Sequence, residues 1–133
     1  MRLLLDTHIF IWWADEPERL GERLLDALLD IENELILSVV SLWEMQIKAQ
    51  LGKLTLRRPL KELVHLQQSV NGLQLLPVTS KHVFLLDELP LVHKDPLDRL
   101  IIAQALAENL TLVSHDRVFE DYQVLLWKPD MQG

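Results

Sequence analysis

Short unbroken apolar runs alternate along this chain with longer stretches in which apolar residues recur every three or four positions. The short runs are RLLLD (2–6), ELILSV (34–39), LQLLPV (73–78), LTLVS (110–114) and QVLLW (123–127). Their length and continuity predict strands buried on both faces. The longer stretches carry helical spacing. THIFIWWA (7–14) predicts a short helix, and PERLGERLLDALLDIEN (17–33) lines up leucines at 20, 24, 25, 28 and 29. SLWEMQIKAQLG (41–52) predicts a helix stopped by Gly52, and RPLKELVHLQQSVNG (58–72) one stopped by Asn71-Gly72. TSKHVFLLDELP (79–90) starts on a Thr/Ser cap, the segment 96–108 is almost wholly apolar, and HDRVFEDY (115–122) predicts a turn and short helix. The tail KPDMQG is expected to fray.

Strands alternating with helices imply an α/β fold in which a parallel sheet is covered on both faces, a three-layer α/β/α sandwich. Residues 1–133 fit one domain. In such open sheets, sites form beyond the carboxyl ends of the strands. Asp6 closes the first strand and Asp116 lies just past LTLVS, so both acids obey that rule.

The helix in HKDPLDRLIIAQALA (93–107) is greasy yet opens on two acids. Asp95 is explained as an N-cap ahead of Pro96, and Asp98 falls where a capping-box acid would stand. Asp98 also sits at the mouth of a core-facing helix, where an uncompensated charge is expensive. Arg99 is available to a nearby acid or a phosphate. Glu44 poses the same question within VVSLWEMQIKAQL. The expected apolar stripe is Val40, Trp43, Ile47 and Leu51, with Glu44 on its edge and Lys48 turned toward the polar side. Glu44 is then either a rim residue paired with Lys48 or an acid held inside by another partner.

Composition narrows the chemistry. The chain has 133 residues, 49% hydrophobic and 25% charged, enough for a core without staples. Cysteine is absent, which excludes disulfides and zinc–thiolate sites and suits a reducing cytoplasm. A net charge of −7 argues against holding nucleic acid by bulk electrostatics, but not against a nuclease whose bound cations reverse the sign locally. No signal peptide or membrane span is expected.

Asp6, Glu44, Asp98 and Asp116 therefore stand where strands or core helices expose their ends. Spacing alone does not bring them together. If they converge, each like-charged pair at about 5 Å repels by roughly 3 kcal/mol at an effective dielectric of 20. The cluster must then take up protons or bind a hard cation, and an all-oxygen set favours Mg²⁺ or Mn²⁺.

LLLDTHIFIWW, SVVSLWEMQIKAQLGKL and HKDPLDRLIIAQALAENLTLVSHD together resemble the PIN-domain ribonucleases, in particular VapC-type toxins of toxin–antitoxin pairs. The resemblance runs through nearly the whole chain in order. It implies a PIN-like α/β/α sandwich whose acidic quartet binds Mg²⁺ or Mn²⁺ and supports endonucleolytic RNA cleavage. Carried over by motif, the quartet is Asp6, Glu44, Asp98 and Asp116. Thr7 and Ser114 match small hydroxyl residues beside it, and Asp95 is a cap first and an outer ligand second. The resemblance further implies a homodimer and a cognate antitoxin whose tail enters the acidic site. Trp12, Trp13 and the 17–33 helix suit such contacts, although the plainer reading of both tryptophans is core.

His8, His93 and His115 each lie near an acid. A His/Asp metal site would use them, but they form no recognised ligand helix and are read first as rim residues or hydrogen-bond partners of the acids. Lys48, Lys53, Arg57, Arg58 and Lys61 form the one local basic cluster, read first as a solvated face and second as an RNA contact. Two rival functions remain: a receiver-like phosphoacceptor domain, which lacks its second acid after Asp6 and its lysine after LTLVS, and a non-catalytic binding module.

Overall fold

A computed structural model of the chain describes residues 1–132, with side chains to Asp130. Five strands, β1 (Arg2–Leu5), β2 (Glu34–Ser38), β3 (Gln74–Leu76), β4 (Thr111–Val113) and β5 (Leu125–Leu126), form one sheet in the order β3-β2-β1-β4-β5. Every pairing is parallel, with Leu3 opposite both Leu35 and Thr111. Six α-helices connect and cover it: α1 (Thr7–Asp15), α2 (Glu22–Leu29), α3 (Val39–Gln50), α4 (Leu60–Asn71), α5 (Ser80–Leu85) and α6 (Pro96–Glu108).

The central strand explains the layering. Leu3, Leu4 and Leu5 are all fully buried, and successive side chains of a strand point to opposite faces. Leu3 and Leu5 join a core with Phe10, Trp13, Leu24 and Met45, while Leu4 joins a second core with Ile101, Ile102, Leu112 and Phe119. A strand buried on both sides has no need to alternate, which is why the run reads as continuous leucine.

Several expected boundaries move. The 17–33 helix divides at Gly21, whose φ of +85° no helix accommodates, into a 3-10 turn (Pro17–Leu20) and α2. The inward stripe survives the break, with Leu20, Leu24, Ala27 and Leu28 all buried. The 73–78 strand stops at Leu76, because Pro77 has no N–H to donate to the ladder. The 79–90 helix tightens into a 3-10 turn over Leu86–Glu88. The tail does not fray as expected: Pro129–Gln132 form a 3-10 turn against α2, and Gly133 lies outside the described residues. No helix among the described residues is long and apolar enough to cross a membrane.

The chain crosses from one half of the sheet to the other between β1 and β4. In open parallel sheets the crevice that takes a ligand lies at such a point, beyond the carboxyl ends of the strands.

Candidate active site

Asp6, Ser38 and Ser114 each follow or end a sheet strand at that crevice. Asp6 passes the chain directly from β1 into α1, and its Oδ1 accepts the Thr7 amide at 2.8 Å. Ser38 does the same between β2 and α3, its Oγ accepting the Val40 amide at 3.0 Å. A strand that turns immediately into a helix leaves its last side chain at the helix N-terminus, where an acceptor satisfies an orphan N–H.

Hydroxyl groups then tie the acids together. Thr7 Oγ1 donates to Glu44 Oε1 at 2.9 Å and lies 3.0 Å from Ser41 Oγ, which is left to donate to it. Ser114 Oγ donates to Asp6 Oδ2 at 2.8 Å and accepts the Asp116 amide at 3.0 Å. A chain of contacts thus runs Glu44–Thr7–Asp6–Ser114–Asp116 across three elements. Asp116 is exposed, and its Oδ1 caps the following turn by accepting the Val118 amide at 3.1 Å.

Asp98 enters from the far side on α6. Its Oδ2 lies 2.8 Å from His93 Nε2. The capping-box contact expected of Asp98 is replaced by this histidine, while Asp95 caps α6 as expected, accepting the Leu97 amide at 2.9 Å. Among the described residues, His93, Asp95 and Asp98 are the three ligand-type side chains with atoms all within 4.8 Å of one another. Of the four predicted acids, Asp6, Glu44 and Asp98 act on one another electrostatically, while Asp116 joins them only through its backbone amide. Asp6, only 5% exposed, is pushed up from 3.8 to about 6, chiefly by burial and further by the charge of Asp98. The Ser114 hydroxyl, the Thr7 amide and the charge of His8 pull it back. Asp98 is also raised, first by burial, with Asp95 and Glu44 adding repulsion and His93 opposing it. Asp6, Glu44 and Asp98 therefore share one electrostatic centre.

Three expectations are corrected here. Lys48 does not turn away: its Nζ contacts Glu44 Oε2 at 2.8 Å, since residues four apart share a helix face. The inward face of α3 is Val40, Ser41, Glu44 and Met45, so Glu44 is buried, whereas Trp43 and Leu51 are 59% and 63% exposed. The helix is rotated so that its hydroxyl and carboxylate meet Thr7. Arg99 pairs with no acid among the described residues. It pins the loop before α6, donating to the carbonyls of Pro90 at 2.7 Å and Leu86 at 3.2 Å.

From the sequence Ser41 was set aside as a nucleophile, and no place beside Glu44 was expected of it. Its position three residues before Glu44 was the available signal. Trp13 is core, as the plainer reading had it, and Trp12 is half-buried beneath Arg19, whose Cζ lies 4.6 Å from its ring centre. Arg58 pairs with Glu62 at 3.2 Å and Arg57 faces Asp15 at 3.8 Å, so part of the basic cluster is engaged within the protein.

The acids thus gather near the point of a parallel α/β/α sheet where the strand order reverses. The PIN domain model matches residues 3–125, and the chain belongs to the PIN domain family. It is 33% identical over 117 residues to Ribonuclease VapC22 of Mycobacterium tuberculosis, covering 86% of this chain and 87% of that protein. Among solved structures it resembles VapBC2 from Rickettsia felis bound to a promoter DNA fragment, with a TM-score of 0.73 at 22% identity over 96% of this chain and 98% of that one. It also resembles FitAcB from Neisseria gonorrhoeae, with a TM-score of 0.61 at 22% identity over 96% and 97% of the two chains.

Proposed function

We propose that this protein is a Mg²⁺- or Mn²⁺-dependent RNA endonuclease and the toxin of a toxin–antitoxin pair. The observation that carries the reading is a buried Asp6, linked through Thr7 to Glu44 and through Ser114 toward Asp116, and repelled by Asp98. The donor set fits a hard dication: carboxylate oxygens flanked by hydroxyls, no sulfur, and more negative charge than the adjacent Lys48 offsets. Asp6, Glu44, Asp98 and Asp116 would hold the ion directly or through water.

When bound, a divalent ion polarises the phosphodiester and makes water a better nucleophile near neutral pH. The protein's own part is orientation and proton handling. Thr7 and Ser114 fix the carboxylate planes of Glu44 and Asp6, and Lys48 holds the outer oxygen of Glu44. His93 holds Asp98 Oδ2 at the mouth of the crevice, where one of the two can take a proton from attacking water. The VapC22 relationship supports the ribonuclease reading. The VapBC and Fit likenesses, with an exposed apolar groove of about 500 Å³ holding Trp43, Leu60 and Val64, support an antitoxin partner. A homodimer belongs to the same proposal.

The test is cleavage and growth together. The purified chain should cut RNA with Mg²⁺ or Mn²⁺ and not with chelator, and Asp98→Asn should not. Expression alone should arrest growth, and co-expression of the neighbouring antitoxin gene should relieve it. No cleavage with either ion, and no arrest, would leave a binding module.

A further inference from the structure

Beside the acids lies a second concavity of about 350 Å³, framed by α1, the Pro17–Leu20 turn and the loop after α3. Two contacts join it to the acid centre. Lys48 lines it and grips Glu44, and His8 lines it and acts electrostatically on Asp6. Its wall is a stacked aromatic–cation arrangement. Arg19 lies over Trp12, and the His8 and His115 rings sit 6.3 Å and 5.7 Å from that indole.

The cleft carries charge of both signs. Lys48 and the exposed Lys53 line it, and the Lys53 amide donates to the Lys48 carbonyl at 2.8 Å. Asp15 and Glu16 line it too, and each already faces a cation: Arg57 at 3.8 Å and Arg19 at 3.4 Å. A phosphate suits the lysines. A nucleobase suits the Trp12–Arg19 wall, because its ring stacks on indole or guanidinium and its amino groups donate to carboxylates.

We propose that this cleft is a ribonucleotide subsite, holding a nucleotide adjacent to the one cut at the acid centre. Its base packs on the Trp12–Arg19 pair and its phosphate faces Lys48 and Lys53. This rests on the RNA-nuclease reading for its register beside the scissile bond, not for the binding itself.

The test uses full-length Asp98→Asn protein, so that RNA survives, with a short oligoadenylate and the matching abasic ribose-phosphate oligomer as probes. Trp12→Ala should weaken oligoadenylate binding about tenfold, the scale of one lost base stack, and leave the abasic probe unaffected. Arg19→Ala, at a half-exposed side chain, should act in the same base-dependent sense and guards against a folding defect in the tryptophan variant. Lys53→Ala should weaken both probes alike and lower the salt slope by about 0.7, one phosphate contact to a single strand. Lys81→Ala, on α5, controls for loss of a positive charge elsewhere.

Equal binding of the two probes by the parent, or unchanged oligoadenylate binding in both Trp12→Ala and Arg19→Ala, overturns the subsite even if the wild type cleaves RNA. Unchanged RNA binding with lost antitoxin binding also overturns it and gives the cleft to a protein segment. A wild type that cleaves nothing overturns the nuclease reading, and base-dependent binding through Arg19 upholds the subsite even then.

Discussion

Two polar clusters reach from the surface into this small sheet protein, and they are built on opposite principles. One joins Ser38, Gln104, His82 and Glu108. Ser38 Oγ donates to Gln104 Oε1, Gln104 Nε2 donates to the Pro77 carbonyl at 3.3 Å, and His82 Nδ1 accepts the Thr79 amide at 3.0 Å. That leaves His82 Nε2 to donate to Glu108 Oε2 at 2.9 Å. Each group meets its complement, and the Glu108 carboxyl is held below its ordinary range, first by that histidine. The other cluster gathers Asp6, Glu44 and Asp98, whose hydrogen bonds orient them but leave like charges facing one another. Burial by itself is not what the fold avoids. Satisfied polar groups are tolerated inside, whereas facing carboxylates raise one another's proton affinity, and it is on that imbalance that the proposed metal site rests.

The contrast can be broken most sharply at Asp98. Asp98→Asn removes a proposed ligand and should reduce Mg²⁺-dependent RNA cleavage by more than about 100-fold, beyond what outer partners of a metal site usually cost. Steady-state cleavage of a defined RNA measures it. Near-wild-type rates would detach Asp98 from the chemistry.

Proton linkage separates the clusters next. The Asp6 carboxyl titrates at about 6 in the fold against 3.8 as its ordinary value, so the metal-free fold favours its neutral form. Its contribution is therefore fully present below pH 4 and lost as pH rises through 6, a swing of about 3 kcal/mol at 1.36 kcal/mol per pH unit. Asp98 adds in the same sense. Glu108, lowered instead, contributes stability above its ordinary 4.5 and loses it as pH falls. Denaturant melts of chelated protein should show Asp6→Asn gaining relative stability at pH 7.5 and not at pH 4. Saturating Mn²⁺ should stabilise the wild type at pH 7.5 and do much less for that variant.

Gln104→Ala tests the balanced cluster. It strands the Ser38 hydroxyl and the Pro77 carbonyl and should cost about 1–3 kcal/mol in a urea melt. The Mn²⁺-induced stabilisation should stay as in the wild type, because no acid of the crevice is touched. The smallest effect is expected of Ser114→Ala. Losing that donor, worth about 1 kcal/mol, pushes the Asp6 carboxyl further up and moves the pH transition of the chelated protein to higher pH. An unmoved transition would mean that Ser114 does not hold Asp6.

The amino-acid sequence by itself determined the architecture. Continuous leucine in RLLLD reads as a strand buried on both faces, and its alternation with helical stripes implies a parallel sheet with a core on each side. It also marked each acid individually, because a carboxylate ending a strand or facing a core helix breaks a local pattern. Tertiary structure alone decided which way α3 turns, that His93 takes Asp98, and that Arg19 covers Trp12. Those contacts depend on the angles at which helices leave neighbouring strands, and periodicity within one segment carries no record of the segment that will pack beside it.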